Sequence, residues 1–308
     1  PSAQDNSRRN GAQARQPLIG SVPPSMKSFS LNIRGRLVEF DRPAVMGIVN
    51  ATPDSFYGAS RVAGAEEAAR RASAMVGAGA AMLDVGAYSS RPGAADVSEA
   101  EEMARMECAV KAVRDAVGGD ILLSVDTFRA SVAAKAVGEW GADIVNDISG
   151  GLLDEAMFST VAALACPYIL MHMRGTPATM QTMTEYSDVL ADVIGELSRR
   201  KAQLEELGVA DIIIDPGFGF AKTAVQNYRM LAGLEAFGLL DRPVLVGVSR
   251  KSMFTRELGI TAEEALPATT AANAIALERG AAILRVHDVE AAVQAVEVVS
   301  RINQQPYV

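Results

Sequence analysis

The sequence predicts an α/β fold, a (β/α)8 TIM barrel preceded by a short N-terminal β-hairpin. Three observations lead there. From Pro43 onward, eight short Val- and Ile-rich runs alternate with longer Ala-, Glu- and Arg-rich segments at helical spacing. Eight βα repeats over about 260 residues match such a barrel in length and count. Each run also ends in a polar or charged residue, where the βα loops of a barrel gather. A doubly wound open sheet is the alternative. No Gly-x-Gly-x-x-Gly turn follows the first run, which speaks against a dinucleotide-binding version of it.

Residues 1–25 are polar and aperiodic, and read as a disordered leader before a single barrel domain over 26–308. Phe29 to Phe40 alternates around Arg34-Gly35, a hairpin signal. The strand runs are Val45–Val49, Met82–Val85, Ile121–Val125, Ile144–Val145, Tyr168–Met171, Ile212–Ile214, Val244–Val248 and Ile283–Val286. Each is bounded by Gly, Pro, Asp or Asn, as strands buried on both faces are. Helical spacing appears in Ala65–Val76, Ser98–Val117, Ala130–Trp140, Tyr186–Leu207 and Ala262–Arg279, and Glu290–Ile302 closes the series.

Of 308 residues, 49% are hydrophobic and 21% charged, enough for a large core. The net charge of −8 argues against general nucleic-acid binding. An anionic ligand therefore needs a local positive cluster. No apolar run approaches the ~20 residues of a membrane span, and Pro1 to Ser25 carries Arg8, Arg9 and Arg15 without an apolar stretch. Cys108 and Cys166 lack metal-ligand spacing and read as free thiols. A cytoplasmic protein acting on small molecules is expected, with no nucleic-acid or membrane partner.

The strand ends bring forward Asn50, Asp84 before the Gly86–Gly93 loop, Asp126, Asn146, His172, Asp215, Ser249-Arg250-Lys251, and Arg285 with His287. Asp126, Asn146 and Asp215 suit a planar heterocycle rich in N–H donors and acceptors. Buried carboxylates need cationic or N–H partners, and Lys251 is one candidate; an ion pair internal to the barrel is the other reading. Arg91, Arg250, Arg285 and His287, with Ser89 and Ser90, suit phosphate oxygens. Asn50 can offer Mg²⁺ a carbonyl oxygen, or simply form a turn. His172 reads as a hydrogen-bonded structural residue, flanked by Met171 and Met173 as core filler or ligand contacts. Asp215 to Thr223 does not match P-loop spacing, and reads as a mobile loop presenting Phe220 to a flat ligand.

Taken together, these motifs resemble the dihydropteroate synthase family. The resemblance runs from about Val45 to Val298. It is carried by Met46-Gly-Ile-Val-Asn-Ala-Thr-Pro-Asp-Ser-Phe56, Ser89-Ser-Arg-Pro-Gly93, Ser124-Val-Asp-Thr127 and Asn146-Asp-Ile-Ser-Gly-Gly151. Met171-His-Met-Arg-Gly175, Asp215-Pro-Gly-Phe-Gly-Phe220, Gly247-Val-Ser-Arg-Lys-Ser252 and Arg285-Val-His-Asp288 complete it. It implies condensation of hydroxymethyl-dihydropterin diphosphate with para-aminobenzoate, releasing diphosphate, in a homodimer. It implies that Asp126, Asn146, Asp215, Lys251 and Met171 hold the pterin. Asn50 would bind Mg²⁺ with the diphosphate, and Ser90, Arg285 and His287 would contact that leaving group. Arg91, Pro92, Phe220 and Ser252 would form the aminobenzoate pocket. Asp126, Asp215, Lys251, Arg285 and His287 would act in catalysis.

Two loops depart from the family pattern. Asp54-Ser-Phe-Tyr-Gly-Ala-Ser60 has Gly58 where a second acid is usual, and Ser90 stands where threonine is usual. A corrinoid-dependent pterin methyltransferase domain is one rival, opposed by the diphosphate-type residues. A non-catalytic pterin-binding module is another, opposed by Lys251, Arg285 and His287.

Overall fold

The computed structural model describes residues 28–51, 61–88 and 97–304. The leader, the Asp54–Ser60 loop and Ser89–Gly93, with Ser90, Arg91 and Pro92, lie outside them. A hairpin comes first, β1 (Phe29–Ile33) and β2 (Arg36–Phe40), paired antiparallel. Arg34 and Gly35 both have positive φ, 53° and 83°; two such central residues give a turn whose twist matches the strands.

Eight parallel strands follow: β3 (Ala44–Asn50), β4 (Met82–Gly86), β5 (Leu122–Asp126), β6 (Ile144–Asp147), β7 (Tyr168–Met171), β8 (Ile212–Asp215), β9 (Leu245–Val246) and β10 (Ile283–Val286). They pair in the order β8-β7-β6-β5-β4-β3-β10-β9. An Ile214–Val244 bridge, with Ile214 N donating to Pro243 O at 2.8 Å, brings β8 to the start of β9 and rounds the sheet into a barrel. Outside lie α1 (Arg61–Gly77), α2 (Glu99–Val117), α3 (Ala130–Gly138), α4 (Met157–Leu164) and α5 (Val189–Glu206). The ring continues with α6 (Ala224–Ala232), α7 (Ser252–Leu258), α8 (Leu266–Glu278) and α9 (Val289–Asn303).

Strand periodicity sorts the side chains. Residues such as Val45, Leu83, Val125, Leu170 and Ile214 face outward and join the helices in the main core. Their neighbours face the barrel axis, and these change character along it. Near the amino ends they are Met46, Met82, Leu122, Ile144, Ile169, Ile213, Leu245 and Ile283, a dry layer. One pleat repeat further on, the same faces carry Asp84, Ser124, Asn146, Asp215 and Arg285. The polar layer is thus confined to the carboxyl mouth.

The hairpin plugs the opposite mouth. Leu31 and Ile33 join the dry layer, and Phe29 stacks on Phe40 at 4.6 Å. Asn32 N donates to Asp211 Oδ2 at 3.0 Å, and Arg34 to Ala142 O at 2.9 Å, just ahead of β8 and β6. Leu31 is 1% exposed, so Leu31→Ala is expected to cost about 2–5 kcal/mol of stability by transfer and cavity terms. Chemical denaturation checks this. A loss under about 1 kcal/mol would show that the plug adds little to the core.

Element boundaries differ from the sequence expectation where caps intervene. Asp188 accepts from Leu190 N and Ala191 N, so α5 begins at Val189 rather than Tyr186. The stretch expected as Ala262–Arg279 is helical only from Leu266, with Pro267 in its first turn. The β9 ladder is two residues long, with Val244 in an isolated bridge outside it and Arg250 turning at φ 53°.

Candidate active site at the carboxyl mouth of the barrel

The polar layer is organised by one ion-pair network. Arg285 on β10 donates through Nε to Asp84 Oδ2 at 2.7 Å and through Nη2 to Asp126 Oδ2 at 2.8 Å. Asn146 Nδ2 donates to the same Asp84 oxygen at 2.9 Å. Four strands are stitched together this way. Burial pushes the Asp126 carboxyl up to about 7, with Arg285 pulling in the opposite direction. Burial opposes the Arg285 charge, but Asp84 and Asp126 more than compensate and hold the guanidinium protonated. The two carboxylates are bound through Nε and Nη2, not through Nη1.

A second group lies on β8 and the turn after β9. Asp215 Oδ1 accepts from Gly217 N at 2.8 Å. Lys251 donates to Phe218 O and sits 4.8 Å from the centre of the Phe220 ring. Burial pushes the Lys251 amine down to about 8 against the attraction of Asp215. Burial also raises Asp215, against the pull of Lys251. Met171, in register with Asp215, and Phe220 belong to a small apolar cluster with Ile148, Met173 and Ala221, a hydrophobic wall next to that acid. His287 Nδ1 lies 3.0 Å from Ser249 Oγ, which also accepts from His287 N at 3.2 Å. Asn50 ends β3, half-buried, in register with Gly86, which is in turn in register with Asp126.

A mouth of this kind combines carboxylates and an amide for a heterocycle, a hydrophobic wall for its face, and cations for an anion. The pterin-binding enzyme family matches residues 46–287. The chain is 40% identical over 276 residues to the dihydropteroate synthase of Escherichia coli strain K12, covering 89% of this chain and 95% of that one. The chain belongs to the dihydropteroate synthases, within the pterin-binding enzymes.

Synechocystis dihydropteroate synthase is 42% identical over 260 residues, 83% of this chain and 89% of its own. Among solved structures, Yersinia pestis dihydropteroate synthase in a sulfonamide drug complex superposes with TM-score 0.83 at 36% identity. That match covers 90% of this chain and all of that one. The Xanthomonas albilineans enzyme with 4-aminobenzoic acid gives 0.81 at 36% identity, over 91% of this chain and 100% of its own.

Within this dihydropteroate synthase barrel, Asp126, Asn146 and Arg285 converge through Asp84, and Asp215, Lys251 and Phe220 form the adjoining group. Asp84 stood out in the sequence only as a strand end. Its parity with Met82, two residues earlier on the same face, was the available signal. Arg285, not Lys251, is the ion-pair partner of Asp126, since guanidinium and carboxylate meet at 2.8 Å. Arg250 leaves the anion group: its guanidinium is held by both oxygens of Asp288, at 2.8 and 2.6 Å. Nor is the 216–222 loop loose. Lys222 Nζ donates to Gly217 O and Phe220 O, and Asn227 Oδ1 accepts from Gly219 N at 2.8 Å. Ser252 is exposed at the start of α7. Asp147, next to Asn146, points outward, accepting from Tyr168 Oη at 2.7 Å, and takes no part in the mouth. Among the described residues no helix is long and apolar enough to cross a membrane.

Proposed function

We propose that this mouth condenses hydroxymethyl-dihydropterin diphosphate with para-aminobenzoate by a dissociative displacement. The observation that carries the reading is the juxtaposition of Arg285, bound to Asp84 and Asp126, with the Asp215–Lys251 group. Asp126, Asn146, Asp215 and Lys251 take the pterin edge, and Met171 its face. The methylene C–O bond breaks, its electron pair leaving with diphosphate. Asp126 and Asp215 stabilise the cation left behind, while Arg285 Nη1 and His287 meet the charge developing on the leaving oxygens. The arylamine nitrogen then forms the new C–N bond and releases its proton to solvent. An aromatic amine is neutral at pH 7, so no strong general base is required. Phe220 and Ser252, with Arg91 and Pro92, line the aminobenzoate side, and Ser90 joins the diphosphate contacts.

Mg²⁺ belongs to the same proposal. Among the described residues no cluster of three or more His, Cys, Asp or Glu side chains could hold a metal ion. The family resemblance assigns the ion to the Asn50 carboxamide oxygen, a hard neutral ligand at the end of β3. That suits an ion which keeps water and diphosphate oxygens in its shell. Once bound, the ion supplies charge neutralisation of the diphosphate. A homodimer is likewise proposed, supported by the exposed apolar side chains Ile275, Val298 and Ile302 on α8 and α9; light scattering tests it.

The deciding experiment measures diphosphate release from the pterin diphosphate with Mg²⁺, with and without para-aminobenzoate. Turnover that requires the amine supports the synthase. Pterin binding without release would replace it with a binding module. Positional isotope exchange tests the order of bond changes: diphosphate oxygens should scramble without the amine, and their failure to do so would exclude early bond loss.

The pH profile follows from the site. Asp126 must be ionised to accept pterin N–H groups, so kcat/KM should rise through about pH 7. Lys251 must be protonated to donate, so it should fall again through about pH 8. Asp126→Asn should remove the acid limb. An acid limb unchanged in that variant would assign it elsewhere.

A further inference from the structure

Behind the active-site loop runs a buried chain of charges that the proposed reaction does not use. Lys222 is 4% exposed. Its Nζ donates to Gly217 O at 2.9 Å and to Phe220 O at 3.0 Å, and it lies 3.0 Å from His172 Nδ1. On the far edge of that imidazole, Nε2 lies 3.1 Å from Glu196 Oε2 on α5. Glu196 Oε1 in turn accepts from Arg174 Nε at 3.0 Å. The chain therefore links the inside of the loop to a half-buried carboxylate on an outer helix.

The donor and acceptor inventory constrains its protonation. An ammonium has three N–H donors and no acceptor. With Lys222 charged and His172 neutral, its proton on Nε2, every contact pairs one donor with one acceptor. Moving a proton from the amine to the ring also satisfies every contact. Without that proton, either two lone pairs meet at His172 or one loop carbonyl loses its donor. One positive charge shared by Lys222 and His172, opposite Glu196, is thus needed to hold both carbonyls. Burial pushes His172 down to about 4 and Lys222 down to about 7, so the amine is the favoured holder. The hydrogen bond from His172 holds Glu196 down at about 2, ionised.

What this strut holds matters for the site. Gly217 donates to Asp215, Phe218 O receives Lys251, and the Phe220 ring lies under the Lys251 amine. Asn227 anchors Gly219 independently, so the loop retains a second tether if Lys222 is changed. We propose that Lys222, braced through His172 by Glu196, is a positioning residue that locks the 216–222 loop so that Phe220 and Lys251 meet the two substrates. This rests on the dihydropteroate synthase reading of the mouth.

The test uses the full chain, with Lys222→Met, Glu196→Gln and the double variant. Diphosphate release gives kcat and the KM for para-aminobenzoate, and calorimetry gives the stoichiometry and Kd of pterin binding. Lys222→Met should raise the aminobenzoate KM about tenfold or more, the scale of a lost charged hydrogen bond, with full pterin stoichiometry. Glu196→Gln should raise it by less, and the double variant should match Lys222→Met alone, because the residues act in series. Unchanged KM with a reduced fraction of active sites would mean a purely structural role and overturn the proposal. Additive effects would overturn the relay. If Lys222→Met does not fold, Glu196→Gln decides alone, and an unchanged KM rejects the strut. Wild-type protein with no amine-dependent release would instead reject the underlying reading.

Discussion

Arg285→Ala is expected to abolish measurable turnover and to destabilise the fold at the same time. The guanidinium is the shared partner of two carboxylates, one of them fully buried. Removing one side of a buried ion pair leaves the other uncompensated, at about 3–5 kcal/mol. The attraction of Arg285 also restrains the rise of Asp126. Without it, Asp126 should be protonated at neutral pH and unable to accept from the pterin. Loss of the donor to the leaving group adds a rate effect of about 10²–10³. Diphosphate release and urea unfolding measure the two parts. Any activity that survives should have its acid limb displaced to higher pH. A variant with wild-type stability would show that Asp84 and Asp126 find other partners, contrary to the network described.

Gly217→Ala carries the second largest expected effect. Gly217 sits at φ +71°, and a Cβ there would lie 1.9 Å from the carbonyl oxygen of His172. That neighbour is backbone at the end of β7, where His172 N also donates to Asp215 O at 3.0 Å. It cannot step aside as a flexible side chain would. The loop must move instead, taking the Gly217 N donor away from Asp215 and Phe218 O away from Lys251. Turnover should fall by at least about 10²-fold, the scale of a misplacement near 1 Å, with pterin affinity falling as well. Steady-state kinetics and pterin titration check this. Near-normal kinetics would mean that the loop tolerates a shift and that its carbonyls are not what orients Lys251.

Much of the fold was legible in the chain because its determinants are local. Val45, Leu83, Val125 and Leu170 read as strand residues by composition, and Asp126, Asn146 and Asp215 read as site residues by ending buried runs. Position within a strand sets the face, and strand ends set the mouth. Arg34-Gly35 announced its turn because few residues accept positive φ. Boundaries were less legible where a side chain decided them, as Asp188 does for α5. Glu196 gave no signal at all: it is one acid among many on an amphipathic helix, and nothing nearby in sequence points to His172.

The sequence by itself therefore determined the alternation of strands and helices, the N-terminal hairpin and the family, all of which depend on short-range pattern or on motif order. Only the tertiary structure decided the pairings. Arg285 lies 201 residues from Asp84 and 159 from Asp126, whereas Arg250 is drawn to Asp288 instead. Which carboxylate a cation meets depends on sheet register and on the direction each strand faces. Those relations exist only once the barrel has closed, because burial then makes an unpaired charge too costly to leave.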